Sequence, residues 1–233
     1  MSMDYELLEK KITVLVAKDE TSGAVLAYDC LAKGAGDDWV VSQLVRDLED
    51  WGRHDIRLQT DGEPAMLALQ QAIADGRKGA TIQRNSPAYN PQSNGGAEKA
   101  VQDVTDLMRR ILLGLEGKLR GRLDLSLPWA RWLIRHAAFV LTRYQVGHDG
   151  QTPWRRLTGK EWTGYAFNFC EKVMGRLALK KSSTDRKVKR GKKKLAARSL
   201  PGVYLGVYPR TGEHIIALET GEAIRVRTIH RLA

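Results

Sequence analysis

The order of hydrophobic patterns in the first 85 residues constrains the fold most. Ile12–Ala17 and Ala24–Cys30 are short apolar runs, and the polar stretch 18–23 between them ends in glycine, which predicts a β-hairpin. Asp4 and Tyr5 lie just before it, at the position of a preceding strand. Segments with the apolar spacing of a helix then alternate with short strands: helix 38–51, strand 56–60, helix 64–75 and strand 81–85. This succession predicts an α/β domain with a mixed sheet.

The second half of the chain changes character. Amphipathic helices are predicted from Ala97 and from near Pro128, and a short helix is predicted at 153–157. Strand-like runs follow at 167–179, 202–208, 214–218 and 223–229. Closely spaced short strands favour a small β-barrel. We therefore expect two domains, residues 1–165 and residues 166–233.

The net positive charge of the chain lies in its C-terminal part. Residues 1–170 hold 22 Lys and Arg and 22 Asp and Glu, whereas residues 171–233 hold 16 basic and 5 acidic residues and account for the net charge of +11. A neutral body followed by a basic segment predicts that the segment binds a polyanion.

Several classes of protein are disfavoured by composition. No run approaches the ~20 apolar residues of a membrane helix. The N-terminal residues lack the apolar centre of a signal peptide, so secretion is unsupported. Two cysteines, Cys30 and Cys170, make no disulfide framework, and a reducing compartment is expected.

Three carboxylates on separate elements could form a metal site. Asp61 follows a predicted strand, Glu98 falls in the first turn of a helix, and Asp4 accompanies the first strand. Mg²⁺ prefers such oxygen ligands and leaves positions for substrate phosphate. Capping alone also explains Asp and Glu at such places. Asp19 is the alternative first acid, although a turn such as 18–23 favours Asp for its own sake.

The loop before Glu98 adds a resemblance. Tyr89-Asn90-Pro91-Gln92-Ser93-Asn94-Gly95 followed by Glu98 resembles the active-site loop and catalytic glutamate of retroviral and retrotransposon integrases. Leu58-Gln59-Thr60-Asp61-Gly62-Glu63 resembles the strand that carries the second aspartate of that family. Asp4 lies 57 residues before Asp61, and Glu98 lies 37 residues after it, which suits the DDE pattern of the family.

The resemblance continues to about His230. Gln151-Thr152-Pro153-Trp154 with Leu157 to Lys160, and then Leu205-Gly206 with 211–213 and 224–229, are similar to segments that follow the core in copia-type retroelement polyproteins. The chain begins three residues before Asp4, which suggests a piece of a longer polyprotein or a decayed copy.

The resemblance implies a fold and a chemistry. The expected fold is an α/β, RNase H-like mixed sheet flanked by helices, followed by a small all-β SH3-like barrel. The implied activity is Mg²⁺- or Mn²⁺-dependent phosphoryl transfer on DNA with two ions, in which Asp4, Asp61 and Glu98 are the catalytic metal ligands. Water would expose a 3′-hydroxyl on the element DNA, and that hydroxyl would attack a target phosphodiester in line. Element ends, target DNA and further copies of the chain are the implied partners, with action in the nucleus.

DNA contacts are expected from two groups of residues. The first lies around the active-site loop: Tyr89, Asn90, Gln92, Asn94 and Lys99. The second is the basic arm, which we define as the nine Lys and Arg residues between 180 and 194: Lys180, Lys181, Arg186, Lys187, Lys189, Arg190, Lys192, Lys193 and Lys194. Such an arm neutralises phosphates without reading sequence, or serves as a nuclear import signal.

Two other interpretations remain open at this level. A non-catalytic DNA-binding relic would keep the fold and lose the chemistry. An RNase H-type nuclease would share the metal site, but the active-site loop and the basic extension argue against it.

Overall fold

The structure is a computed structural model that describes residues 2–7, 10–86, 94–124, 127–164, 167–176 and 199–232, with side chains from Thr13 onward. The chain divides into two compact units, Met1–Gly164 and Tyr165–Ala233. Among the helices described, none is long and apolar enough to cross a membrane.

Three antiparallel strands open the first unit. They are β1 (Ser2–Leu7), β2 (Lys10–Lys18) and β3 (Val25–Cys30), with β2 in the middle. Asp4 on β1 lies opposite Thr13 on β2. The predicted strand before the hairpin is therefore present and carries Asp4.

Helices and strands then alternate, as the sequence predicts. The elements are α1 (Asp38–Asp50), β4 (Ile56–Thr60), α2 (Pro64–Gly76) and β5 (Thr81–Asn85). Asp37 caps α1 by accepting the backbone N–H of Val40. Strand β5 runs parallel to β4, which α2 makes possible by crossing over between them. In the described pairings, β4 and β5 form a two-stranded parallel sheet separate from the antiparallel one, so the predicted mixed sheet is not joined into one there.

The rest of the first unit is helical. It comprises α3 (Gly95–Leu119), α4 (Trp129–Tyr144) and α5 (Pro153–Thr158). Arg143 near the end of α4 is buried, and its guanidinium lies within 4.0–4.7 Å of the ring centres of Phe139, Trp154 and Trp162. These aromatic contacts fix the segment around α5 against α4.

The alternation of side chains along β2 and β3 builds two cores. Val14 and Val16 face α3 and α4 on one side of the sheet. Leu15 on β2 and Tyr28 on β3 face the other side, where they pack with residues of α1 and α2. Period-two patterning thus produces a three-layer arrangement, with helices on both faces of the strands.

The second unit is an antiparallel sheet. Its strands are β6 (Lys172–Arg176), β7 (Ser199–Val207), β8 (His214–Ala217), β9 (Ala223–Val226) and β10 (Thr228–Arg231), in the order β10-β6-β7-β8-β9. The prediction of one strand over 223–229 was wrong, because the chain turns at Arg227 and divides it into β9 and β10. The predicted strand at 167–179 begins later than expected, because residues 167–171 contain a turn and β6 starts at Lys172. Residues 177–179 lie outside the described part of the chain.

The sheet of the second unit must curl strongly. Strands β9 and β10 are the two edges of the sheet, yet Arg227 alone separates them along the chain. The described pairings do not join these edges, so the sheet is not closed and the SH3-like barrel stays a prediction. Val173, Tyr204 and Ile216 form the core on one face of this sheet.

Candidate active site

Asp61 lies where the sequence places it, immediately after β4. Its Oδ1 atom is buried and has no hydrogen-bond partner among the described residues. Burial of a carboxylate oxygen without a partner costs free energy, unless a cation or a hydrogen-bond donor contacts that oxygen. The Asp61 side chain therefore fits the role of a cation ligand.

A buried glutamine holds the two parallel strands in place. Gln70 on α2 is fully buried, and its Nε2 donates to the carbonyl oxygens of Leu58 at 3.0 Å and Arg84 at 2.7 Å. One side chain thus ties α2 to both β4 and β5. Its contact on β4, Leu58, lies three residues before Asp61. This contact fixes the position of the end of β4, which Asp61 follows.

Ser86 links that strand end to the start of α3. The Ser86 N–H donates to the carbonyl oxygen of Thr60 at 3.0 Å, and Gln59 Nε2 donates to Ser86 Oγ at 3.1 Å. Ser86 Oγ in turn donates to Oδ1 of Asn94, the residue that precedes α3. These contacts bring the chain at Asp61 and the N-terminus of α3 together.

Glu98 lies in the first turn of α3, as predicted, and is half-buried. The positive end of the helix dipole favours a carboxylate there. Lys99, expected to touch DNA, forms an ion pair with Asp103 over 2.9 Å on the same helix. The hydrogen bond from Lys99 to Asp103, together with the charge of Asp103, raises the pKa of Lys99.

The third predicted ligand, Asp4, is placed only by its backbone. It lies on β1 opposite Thr13, and its side chain is outside the described part of the chain. Among the side chains that the structure does describe, no three of His, Cys, Asp or Glu converge closely enough to hold a metal ion. The structure therefore places two of the three predicted ligands, at the end of β4 and the start of α3.

Asp19, the alternative first acid, has a structural role. Its Oδ2 accepts hydrogen bonds from Ser22 Oγ at 2.6 Å and from Arg53 Nη2 at 2.7 Å. Burial would raise the pKa of Asp19, but the hydrogen bonds from Ser22 and Arg53 outweigh burial and lower the pKa. Asp19 therefore closes the turn between β2 and β3 and anchors Arg53.

A cavity of about 540 Å³ adjoins this region. Thr60, Asn94 and Gly96 line it on the side of the candidate site, and Asp19 with Arg53 lines it on the side of the β2–β3 turn. Apolar side chains of the core beneath β4, such as Met66, complete the wall. The end of β4 and the start of α3 thus border open space.

Most of the predicted DNA contacts lie outside the described residues. These are Tyr89, Asn90 and Gln92 of the loop and every residue of the basic arm, Lys180, Lys181, Arg186, Lys187, Lys189, Arg190, Lys192, Lys193 and Lys194. Asn94 is described, and its side chain is engaged with Ser86. Sequence reasoning missed the roles of Gln70 and Ser86, since nothing local distinguishes them from other polar residues.

Comparison with known proteins bears on the fold. No protein-family model matches the sequence, and no curated protein matches it at a significant level. The structure is similar to a chain of the simian T-cell lymphotropic virus intasome, solved with PP2A regulatory subunit B56 gamma, at a TM-score of 0.53 and 15% identity over 100% of this chain and 77% of that one.

Two catalytic core domains are also similar. The HTLV-2 integrase core, in its dimeric form with magnesium, gives a TM-score of 0.48 at 17% identity over 68% of this chain and 92% of that one. The BIV integrase core gives 0.46 at 20% identity over 66% and 88%. On the intasome match, the chain has an integrase-like α/β fold.

Proposed function

We propose that this protein is an integrase-type polynucleotidyl transferase that joins the 3′ ends of a retroelement DNA to target DNA. The observation that carries the proposal is the buried, partnerless carboxylate oxygen of Asp61. It lies at the end of β4, which Ser86 ties to the start of α3, the helix that carries Glu98 in its first turn, within an integrase-like fold. The resemblance of residues 151–160 to copia-type polyproteins supports a copia-type retroelement as the source of the element.

The residues present fit a divalent metal site. Asp61 offers a desolvated oxygen, Glu98 offers a carboxylate at a helix N-terminus, and Asp4 lies on the first strand. These are hard oxygen ligands of the kind that Mg²⁺ and Mn²⁺ take. When bound, a pair of such ions would activate the attacking oxygen and stabilise the leaving one. The HTLV-2 core solved with magnesium is a relative in which the same ion is present.

The chain's own contribution is to position these groups. Gln70 and Ser86 hold the end of β4 against β5 and α3, so that Asp61 and Glu98 keep one geometry without induced movement. Where the protein itself forms no covalent bond to the substrate, preorganised groups of this kind supply much of the rate enhancement of a phosphoryl transfer. Joining exchanges one phosphodiester for another, because the 3′-oxygen forms the new P–O bond as the target 3′-oxygen leaves. The reaction therefore needs no nucleotide cofactor.

The second unit would hold the DNA. Residues 171–233 carry the whole positive excess of the chain, and the basic arm contributes nine cationic groups between 180 and 194. Phosphate neutralisation by such groups releases counterions and gives affinity without sequence preference. In this proposal the curled sheet of the second unit is an SH3-like barrel that positions the arm on the duplex.

An oligonucleotide joining assay tests the proposal. A labelled duplex with a recessed 3′ end is incubated with target DNA and Mg²⁺ or Mn²⁺, and longer products are counted. We expect products with either ion, none with EDTA, and a loss of at least about a hundredfold in Glu98→Gln. Asp75→Asn, an exposed acid on α2 whose Oδ1 accepts a hydrogen bond from Gln71, is the matched control and should retain full activity.

The products also discriminate between the candidate functions. A wild-type protein that binds DNA but joins nothing with any ion would identify a non-catalytic relic. Cleavage of RNA–DNA hybrids without joining would identify a nuclease.

A further inference from the structure

Helix α3 extends well past the core that it helps to form. Its 25 residues span about 37 Å, and its buried residues, Ala100, Val101, Val104 and Thr105, all belong to the first half. None of residues 106–119 is buried. We refer to this stretch as the distal half of α3.

The distal half continues the apolar stripe of the buried half. Val101, Thr105, Met108, Leu112, Leu115 and Leu119 follow one another at alternating steps of four and three residues. That spacing is the a/d pattern of a helix that packs along another helix. Among the residues that the structure describes, the stripe is covered only at its start, because Met108, Leu112 and Leu115 are half-exposed and Leu119 is 62% exposed.

Two glycines make the distal half a poor helix by itself. Gly114 and Gly117 each destabilise an exposed helix relative to alanine, because glycine loses more backbone freedom. Neither position demands glycine, since a Cβ at either one would meet nothing within 4 Å. A helical segment with two such residues and no buried side chain gains stability from packing against a partner.

Charges beside the stripe specify which arrangement a partner helix would adopt. Arg109 and Glu116 both occupy e positions, on the same flank, and they are seven residues or about 10.5 Å apart along the axis. They therefore do not meet within one helix, and Arg109 instead pairs with Asp106 at 3.2 Å on the exposed surface. On the other flank, Ile111 and Lys118 occupy g positions.

An antiparallel pair of identical helices brings complementary residues together on both flanks. With Leu112 opposite Leu115 of the partner subunit, Arg109 lies beside Glu116 of the partner subunit, and the same contact occurs twice by symmetry. The stem of Lys118 then covers Ile111 of the partner subunit. A parallel pair would instead match Glu116 with Ile111 of the partner subunit and form no charge pair.

We propose that the distal half of α3 docks against the distal half of α3 in a second copy of this chain, as an antiparallel two-fold pair. The contact involves neither Asp61 nor Glu98, so it does not depend on the catalytic proposal. Four helical turns on each side bury less than the ~1,600 Å² of a standard interface, so the association is weak and depends on concentration.

Sedimentation equilibrium of the full chain, over a concentration series and without DNA, measures this contact. Leu119 on the stripe and Leu113 beside it are 62% and 68% exposed, so glutamate at either position leaves the core intact. We expect Leu119→Glu to weaken self-association by at least about tenfold and Leu113→Glu to leave it within about twofold of wild type. Equal effects of the two substitutions, or a wild-type chain that stays monomeric at the highest concentration, would overturn the proposal.

A charge exchange tests the antiparallel geometry. Arg109→Glu and Glu116→Arg should each weaken association, because each places like charges together twice. The double variant should recover the wild-type affinity. Since the two residues do not touch within one helix, recovery requires a contact between copies, and a double variant as weak as the singles contradicts the arrangement.

Discussion

Ser86 donates its backbone N–H to the carbonyl oxygen of Thr60 over 3.0 Å, one residue before Asp61. Its hydroxyl also accepts from Gln59 and donates to Asn94, which precedes α3. The residue therefore determines how the end of β4 lies relative to the helix that carries Glu98.

Removal of that hydroxyl should affect activity more than stability. In Ser86→Ala the backbone bond to Thr60 remains, while the contacts to Gln59 and Asn94 are lost. We expect joining to fall by roughly tenfold, because misplaced ligands lose rate steeply. The melting temperature should stay within about 2 °C of wild type, since the lost hydrogen bonds are partly exposed. Ser42→Ala, at an exposed serine on α1, should change neither quantity.

Buried His136 should make the first unit sensitive to acid. Burial lowers the pKa of His136 to about 4, against ~6.5 in an unfolded chain. The folded state thus favours the neutral ring. The resulting stability is fully present above about pH 6.5 and is lost as the pH falls from 6.5 toward 4, by up to about 3 kcal/mol.

Urea unfolding at pH 7.5 and pH 4.5 measures this effect. His136→Phe keeps a ring at the position and removes the titration, so the variant should lose less stability over this range than wild type. The acidic residues titrate in both proteins, and the difference isolates His136. Equal losses in the two proteins would show that His136 titrates normally.

The elements of the first unit could be predicted closely from the sequence. Strands 56–60 and 81–85 were confirmed at both ends. Asp61 and Glu98 were also placed correctly, at a strand end and in a first helical turn. Local sequence patterns determine such positions, so a single sequence is enough to predict them.

The contacts that organise the site could not be predicted, because they join distant residues. Arg53 meets Asp19 across 34 positions, and Gln70 bonds Leu58 and Arg84 from a helix. The burial of Arg143 could not be predicted either, because an arginine is expected at the surface. The three aromatic rings around it come together only in the fold. The turn at Arg227 that divides β9 from β10 shows no glycine or proline.

The basic arm should determine how DNA affinity responds to salt. Each phosphate contact contributes about 0.9 to the slope of log affinity against log salt concentration. Replacement of the nine Lys and Arg residues of the arm by serine should therefore reduce the slope by several units in a titration from 50 to about 200 mM salt. A variant with the arm's lysines changed to arginine keeps the charge and should keep the slope. An unaltered slope in the serine variant would place the phosphate contacts elsewhere.

The most direct test of the account is the activity of Asp61→Asn, measured with its DNA affinity in the same preparation. The amide keeps the size of the side chain and removes the charge that a cation requires. We predict that Mg²⁺-dependent joining falls by at least about a hundredfold while DNA binding stays within about twofold. Joining at the wild-type rate would contradict the claim that the carboxylate of Asp61 serves the reaction.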